Sequence, residues 1–349
     1  MSDFKKLTIQ ELQKAIHNGG KIVIVPHKNP DGDAIGSSLG LYYYLKSKNK
    51  DCSIVVNDSI PGFLSFLPGS ELINVYENNK QQCIDLINQA DIIVCTDYSQ
   101  VHRCGDLQPF IESSTAVKAV IDHHPTPGDH FDFYYHFVAA SSTSELIYLL
   151  VKEMEPAYIF SKDAASCLYS GLMSDTGCFR YSLRPETFIV ASELLKTGIS
   201  TELLVSNIYD SNSPERIRLI GFALNDKMQV LQDYRTAFIS LSFEESEKLG
   251  LQKGDTEGLV NYTLTIPNIV VGAFFYEKEK GKTKISLRSK GNFAVNEISQ
   301  KYFEGGGHKN AAGGEFVGTA KEAVKKFMEI LPQYKSVLDS LEIGKKDIL

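Results

Sequence analysis

KIVIVPHKNPDGD, residues 21–33, decides how the chain is read. Its apolar half runs Ile22-Val23-Ile24-Val25 without a polar break. That is too continuous for a strand with one wet face and too short for a buried helix. It predicts a strand covered on both sides, the environment of a parallel sheet with helices on each face. The polar half ends that strand in one imidazole, His27, and two carboxylates, Asp31 and Asp33, with Pro30 and Gly32 expected to hold the loop away from helix.

Reading outward, the same grammar repeats. GSSLGLYYYLKSK (36–48) and CIDLINQA (83–90) carry helical spacing, and CSIVVND (52–58), DIIVCTD (91–97) and VKAVIDHH (117–124) are further buried-strand runs. The alternation predicts an α/β fold built on a parallel sheet. Three polar clusters, HKNPDGD, TDYS and DHHP, then fall at the carboxyl ends of three strands, where open α/β sheets hold ligands. After residue 141 the pattern turns helical through SSTSELIYLLVKEM, SKDAASCLYSGLMSDTG and ETFIVASELLKTG, and SPERIRLIGFALNDKM (213–228) reads as a linking helix. Strands return in YRTAFISLS and in IVVGAFFYEKEKGKTKISLRSK, a hairpin turning at Gly-Lys. A glycine cluster, FEGGGHKNAAGG (303–314), and a helix near 319–331 complete a smaller α/β domain. The expected division is 1–200, a linking helical region 201–229, and 230–349, with the final residues 342–349 frayed.

Composition narrows the function. With 349 residues and 43% hydrophobic content the chain can bury two cores. Its 36 basic and 43 acidic side chains leave a net charge of −7, which argues against binding long duplex DNA or any long polyanion. The amino-terminal stretch has no signal-peptide core, and no run approaches the roughly 20 apolar residues of a membrane span, so a cytoplasmic protein is expected. The six cysteines include no Cys-x-x-Cys pair and read as buried thiols; Cys95, inside DIIVCTD, is expected to pack rather than ligate.

The residues that carry chemistry are ordinary one at a time. HKNPDGD alone reads equally as a solvated turn with an Asp helix cap, and Asp97, ending DIIVCTD, as a turn residue. Asp122, His123 and His124 end the next run, with adjacent imidazoles pointing in different directions, so one can ligate while the other meets substrate. Asp175 ends a helical stretch ahead of Thr176 and Gly177, with Arg180 close behind, and a plain C-cap at Gly177 accounts for it too. Taken together, four acidic or His-bearing segments at element ends supply enough oxygen and nitrogen donors for two hard divalent ions. In the glycine cluster, Gly305, Gly306 and Gly307 precede His308 and Lys309 and let backbone N–H groups approach an anion, although glycine runs are usually turns. Arg288 and Lys290 lie on a strand that can reach the same place or serve as edge charges.

HKNPDGDAIGSSLGL, CTD, IDHHP, SSTSELI, GLMSDTGCFRY, ISLRSK and GGGHKNAAGG together resemble the successive motifs of the DHH phosphoesterase superfamily, over essentially the whole chain. The resemblance is closest to its two-domain branch of oligoribonucleases that also dephosphorylate 3′-phosphoadenosine 5′-phosphate. It implies a metal-binding catalytic domain, a smaller substrate-binding domain, and an active site in the cleft between them. It further implies two divalent cofactor ions, manganese by preference, one held by His27, Asp31 and Asp97 and the other by Asp33, Asp97, His123 and Asp175. Asp122 would then orient a histidine, His124 would face the scissile phosphate with Arg180 as a candidate helper, and Arg288 with the GGGH run would surround a terminal phosphate or nucleotide. RecJ exonucleases usually add a barrel for which this length leaves no room, and family pyrophosphatases lack GGGH. The implied partners are short RNA oligomers or small nucleotides. A phosphodiesterase for cyclic di-AMP or pApA is the neighbouring alternative, and a nucleotide-sensing module without turnover is the alternative of another class. Oligomeric state, a homodimer included, is left open.

Overall fold

Alternate residues of each central strand leave for opposite sides, and this builds two apolar layers around one sheet. The computed structural model describes residues 7–125, 128, 131–210, 212–251 and 254–341; the expectation of fraying at 342–349 lies outside the described residues. Two compact units meet in sequence at 211 and 212.

The first unit contains strands β1 (Lys21–Pro26), β2 (Asp51–Val56), β3 (Asn74–Val75), β4 (Ile92–Thr96), β5 (Val117–Asp122) and β6 (Phe133–His136), all parallel, in the order β3-β2-β1-β4-β5-β6. Its helices are α1 (Ile9–Asn18), α2 (Gly32–Ser47), α3 (Lys80–Asn88), α4 (Gln108–Ser113), α5 (Thr143–Met154), α6 (Lys162–Asp175), α7 (Pro185–Leu195) and α8 (Thr201–Tyr209). Ile22, Ile24, Ile92 and Val94 enter one core with side chains of α2, α5 and α6. Val23, Val25, Ile93 and Cys95 enter the other with Cys83, Ile87 and Ile111 from α3 and α4. Each such burial contributes about 1.5–3 kcal/mol. Cys95 packs as expected, its thiol 3.0 Å from the Tyr98 hydroxyl.

The strand order reverses between β1 and β4, so the loops leaving their carboxyl ends diverge and open a crevice there. Register fixes what lines it. Pro26 pairs with Thr96, and Thr96 with Ile121, so the next residues, His27, Asp97 and Asp122, form one row across three strands.

One local expectation is overturned. Gly32 does not keep its loop out of helix: α2 begins at Gly32, capped by Asp31, and Asp33 lies inside its first turn. Glycine is required there because a Cβ at residue 32 would sit 2.4 Å from Ser174 Oγ on α6. Gly36 and Gly40, one and two turns further on, approach α6 as closely, so α2 and α6 cross nearly backbone to backbone.

The second unit is a mixed sheet of β7 (Met228–Leu231), β8 (Thr236–Leu241), β9 (Val271–Glu279), β10 (Lys282–Ser289), β11 (Gly306–His308) and β12 (Ala311–Val317), ordered β11-β12-β10-β9-β8-β7. Only β8 and β9 pair in parallel. Phe275, Ile285 and Leu287 face a core closed by α12 (Val295–Tyr302) and α13 (Ala320–Ile330), numbered after α9 (Pro214–Phe222), α10 (Phe243–Leu249) and α11 (Leu259–Thr263). Phe274, Ile239 and Leu241 face the opposite core with α9 and α11. The stretch 213–228 is not one helix: α9 ends at Phe222, and a π-helical turn, 223–227, leads into β7.

Candidate metal centre

Asp97 follows β4 in the left-handed region at φ 67°, a conformation that a short polar side chain tolerates better than most. Its N–H still donates to the Ile121 carbonyl at 3.0 Å, so the sheet ladder holds the turn in place. The carboxylate is buried and shared: Oδ2 lies 3.4 Å from His27 Nε2 and Oδ1 lies 3.6 Å from His123 Nε2.

Each imidazole is oriented from behind. His27 Nδ1 donates to the Lys28 carbonyl at 2.8 Å and His123 Nδ1 to the Ala140 carbonyl at 3.1 Å, since a carbonyl can only accept. In both rings that leaves Nε2 as the atom available to an ion. Asp31 Oδ1 accepts the N–H groups of Asp33 and Ala34, at 3.0 and 3.1 Å, and its Oδ2 stands 3.9 Å from His27 Nε2. The helix-cap reading and the ligand reading of Asp31 are therefore compatible. Asp175, the last residue of α6, reaches to 3.3 Å from His123 Nε2.

Two groups result, His27, Asp31 and Asp97 on one side, and Asp33, His123 and Asp175 on the other, each with donor atoms within 4.8 Å of one another. Asp97 joins them. A third group, Asp97, Asp122 and His124, borders the same carboxylate. The donors are carboxylate oxygens and imidazole nitrogens, which suits hard or borderline divalent cations. The electrostatics fit a cation as well. Burial, then the charges of Asp97 and Asp175, push the Asp33 carboxyl well above the usual range. Asp175 is pushed up to about 6 by burial and by Asp97 and Asp31, against His123. Burial opposes the charged form of His27, but the hydrogen bond to Asp97 and the charges of Asp31 and Asp97 outweigh it and raise the imidazole to about 9.

Asp122 is fully buried, and its Oδ1 accepts from His124 Nδ1 at 2.7 Å. The contact fixes the ring and leaves Nε2 for other work. Burial raises the Asp122 carboxyl, but the hydrogen bond and charge of His124 outweigh it, so the group stays below its ordinary value. Arg180 is exposed, beyond a tight turn in which Gly177, Cys178 and Phe179 all have positive φ.

In the second unit the glycine run forms β11 and turns back into β12 at Lys309 and Asn310. Arg288 on β10 pairs with Ala311, and Ala311 with His308, so Arg288 and His308 share one face of the sheet across a small residue. Gly305 and Gly307 have packing reasons: a Cβ would lie 1.9 Å from the Gly313 carbonyl in one case and 2.6 Å from the Ala311 carbonyl in the other. Gly306 has none, its nearest neighbour being Gln300 Nε2 at 3.9 Å. Lys309 is exposed, with Nζ 3.1 Å from Asn292 Oδ1.

The sequence profile of the DHH family, N-terminal domain, matches residues 21–172, and that of the DHHA1 domain matches residues 235–336. The bifunctional oligoribonuclease and PAP phosphatase NrnA of Bacillus subtilis strain 168 is 30% identical over 307 residues, covering 87% of this chain and 91% of that protein. The chain belongs to the DHH family of phosphoester hydrolases. Its DHH triplet is Asp122, His123 and His124. NrnA of Thermus thermophilus is a further DHH relative, 28% identical over 90% of this chain and 89% of its own length. Among solved structures, an exopolyphosphatase-related protein from Bacteroides fragilis is 41% identical with a TM-score of 0.91, covering 95% of this chain and 97% of that one. RecJ from Thermus thermophilus shares the fold at 14% identity and a TM-score of 0.50, over 94% of this chain and 54% of RecJ.

Reading the sequence missed the props of this DHH centre. Thr143 and Ser144 donate their N–H groups to Asp33 at 2.6 and 2.9 Å, and the Thr143 hydroxyl donates to Asp97 at 2.9 Å. They open α5, so Asp33 also sits on a helix N-terminus, where negative charge is favoured. The segment SSTSELI is visible in the sequence, yet nothing local to it reveals that its amides face a carboxylate more than a hundred residues earlier. Behind it, fully buried Glu145 accepts from Ser141, Thr187 and Arg184, closing the loop onto α7. Among the described residues, no helix is long and apolar enough to cross a membrane.

Proposed function

We propose that this chain is a manganese-dependent cytoplasmic enzyme that cleaves very short oligoribonucleotides to mononucleotides, converts 3′-phosphoadenosine 5′-phosphate to AMP, or does both. The observation that carries the proposal is the placement of Asp97, with one oxygen toward His27 and the other toward His123. In this reading His27, Asp31 and Asp97 would hold one ion, and Asp33, Asp97, His123 and Asp175 would hold the second. When bound, two such ions would supply Lewis acidity and lower the pKa of an attacking water, in place of a side-chain nucleophile.

The chain's own groups do the rest. Asp122 accepts from His124 Nδ1 and fixes the ring, so that an Nε2–H, present when the ring carries its second proton, can donate to a phosphoryl oxygen as charge builds there. Arg180 is assigned the same anionic oxygens. Arg288, the amides of Gly305, Gly306 and Gly307, His308 and Lys309 are assigned the terminal phosphate or nucleotide, which would favour small substrates over long ones. The names of the NrnA relatives, oligoribonuclease and PAP phosphatase, support the substrate class.

A second reading, hydrolysis of cyclic di-AMP or pApA, draws on a more distant likeness. The cyclic-di-AMP phosphodiesterase PdeA of Listeria monocytogenes is 27% identical, and the match spans 49% of that longer protein. Turnover of short RNA, 3′-phosphoadenosine 5′-phosphate, pApA and cyclic di-AMP with Mn²⁺ separates the readings. Hydrolysis of one or both of the first two is expected. Activity confined to the last two would replace the proposal, and full ion binding with no turnover would make the chain a sensing module.

A further inference from the structure

The segment VHRCGDL, 101–107, follows β4 and lies across the loop that leaves β1. The Arg103 carbonyl accepts the Lys28 N–H at 2.7 Å, which fixes Arg103 beside the residue next to His27. Behind it the chain bends sharply at Gly105, φ 69°, where a Cβ would lie 2.8 Å from Asn57 Oδ1 and 2.9 Å from Lys28 Cδ. Asn57 Oδ1 in turn accepts the Asp106 N–H at 2.8 Å, so the segment is clamped at both ends of the bend. Arg103 is therefore a half-buried side chain on a fixed backbone rather than a solvated surface arginine.

A guanidinium carried beside the loop that holds His27 and Asp31 ordinarily forks onto a neighbouring carboxylate. Here, among the described residues, none lies within ion-pairing distance of it, and its side chain makes no hydrogen bond. The donors of a half-buried arginine left without an acceptor fit an anion that arrives from outside.

We infer that Arg103 contacts the phosphate group of the substrate at the His27 side of the centre, placing two guanidinium N–H donors on its non-bridging oxygens. The inference rests on the proposed phosphoesterase reading for its substrate class, but not for its ligand chemistry, which is a phosphate monoester or diester. Arg103 is a substrate contact and not a metal ligand, so its loss should separate ion binding from phosphate binding.

The test uses the full chain in three forms, parent, Arg103→Met and Arg103→Lys, with Mn²⁺ affinity and AMP affinity measured by calorimetry alongside hydrolysis of 3′-phosphoadenosine 5′-phosphate. Arg103→Met should bind Mn²⁺ like the parent, bind AMP at least about tenfold more weakly, and lose about a hundredfold in kcat/KM, the scale of one removed anion donor. Arg103→Lys should recover part of both losses, because it restores the charge without the fork. AMP affinity equal to the parent's in Arg103→Met would overturn the inference. So would a parallel loss of Mn²⁺ binding and melting temperature, which would make Arg103 a structural prop. A parent that hydrolyses nothing yet binds AMP tenfold better than Arg103→Met would sink the proposed function while leaving this contact standing.

Discussion

Gly36 on α2 faces Gly171 on α6 so closely that a Cβ at residue 36 would lie 2.9 Å from the Gly171 Cα. That crossing brings Asp33, near the start of α2, and Asp175, at the end of α6, into one candidate ion-binding group with His123. A Cβ at Gly171 would sit 2.0 Å from Ser144 Oγ and 2.8 Å from Asp33 Oδ1. Gly171→Ala should therefore cost about 1–3 kcal/mol, as overpacking does. It should also weaken Mn²⁺ binding, because the clash falls on Asp33, a proposed ligand, and on the side chain of Ser144, whose N–H donates to it. Thermal melting with and without Mn²⁺ reads both effects; an unchanged Mn²⁺-induced shift would show that the crossing does not set the site.

Asp97 and Asp122 are neighbours in one row but are assigned different work. Asp97→Asn should lower Mn²⁺ affinity and hydrolysis about a hundredfold or more, whereas Asp122→Asn should retain the ions and lose rate through a misoriented His124. Calorimetric ion titration beside kcat distinguishes the two, and loss of both ions in Asp122→Asn would contradict the division of roles.

With His27 as a proposed ligand, proton and metal should compete at this centre, and the sign follows from His27. Its folded-state value, about 9, lies above its unfolded value of 6.5, so its stabilising contribution is fully present below 6.5 and is lost as pH rises through 9. The metal-free protein should thus melt at lower temperature at pH 9 than at pH 6.5. Mn²⁺ needs the neutral ring, so its affinity should rise by up to about tenfold per pH unit over the same window for one displaced proton. Melting curves in EDTA and Mn²⁺ titrations at several pH values check both slopes; a pH-independent affinity would remove His27 from the ligand set.

Glu145 and Arg184 test whether the support behind the ligands matters. Glu145 is fully buried, and Arg184 donates to it through Nε at 2.8 Å while its guanidinium lies over Phe137. Removing one partner strands the other's charge, so Arg184→Met should destabilise the protein by about 3–5 kcal/mol. The Ser141 to Ser144 segment should loosen with it, and denaturant unfolding with hydrogen exchange at Thr143 and Ser144 would report both.

The three glycines before His308 should separate by substitution. Gly305→Ala and Gly307→Ala meet backbone atoms and should unfold or distort the second unit, while Gly306→Ala has room and should keep the melting temperature. If the run binds phosphate, Gly306→Ala should still raise KM for 3′-phosphoadenosine 5′-phosphate. Parent kinetics in that variant would reduce the run to a hairpin.

The order of residues along the chain was enough for the sheet and its rim. Continuous Val and Ile runs can only be strands covered on both faces, and His27, Asp97 and Asp122 each come at or within a residue or two of the end of such a run, so their shared edge is legible in one dimension. Helical spacing likewise made α5 and α6 visible. The rest was settled by folding. Asp33 is a loop residue to a local reading, because Pro30 and Gly32 precede it, and a helical residue once α6 offers Gly32 a place to pack. The amides that hold Asp33 come from residues 143 and 144, and the fork of Arg103 has meaning only beside the loop that carries Lys28. Strand propensity and capping are properties of neighbours along the chain. Close helix approach, donor sharing and unpaired charge depend on distances that only the folded chain defines.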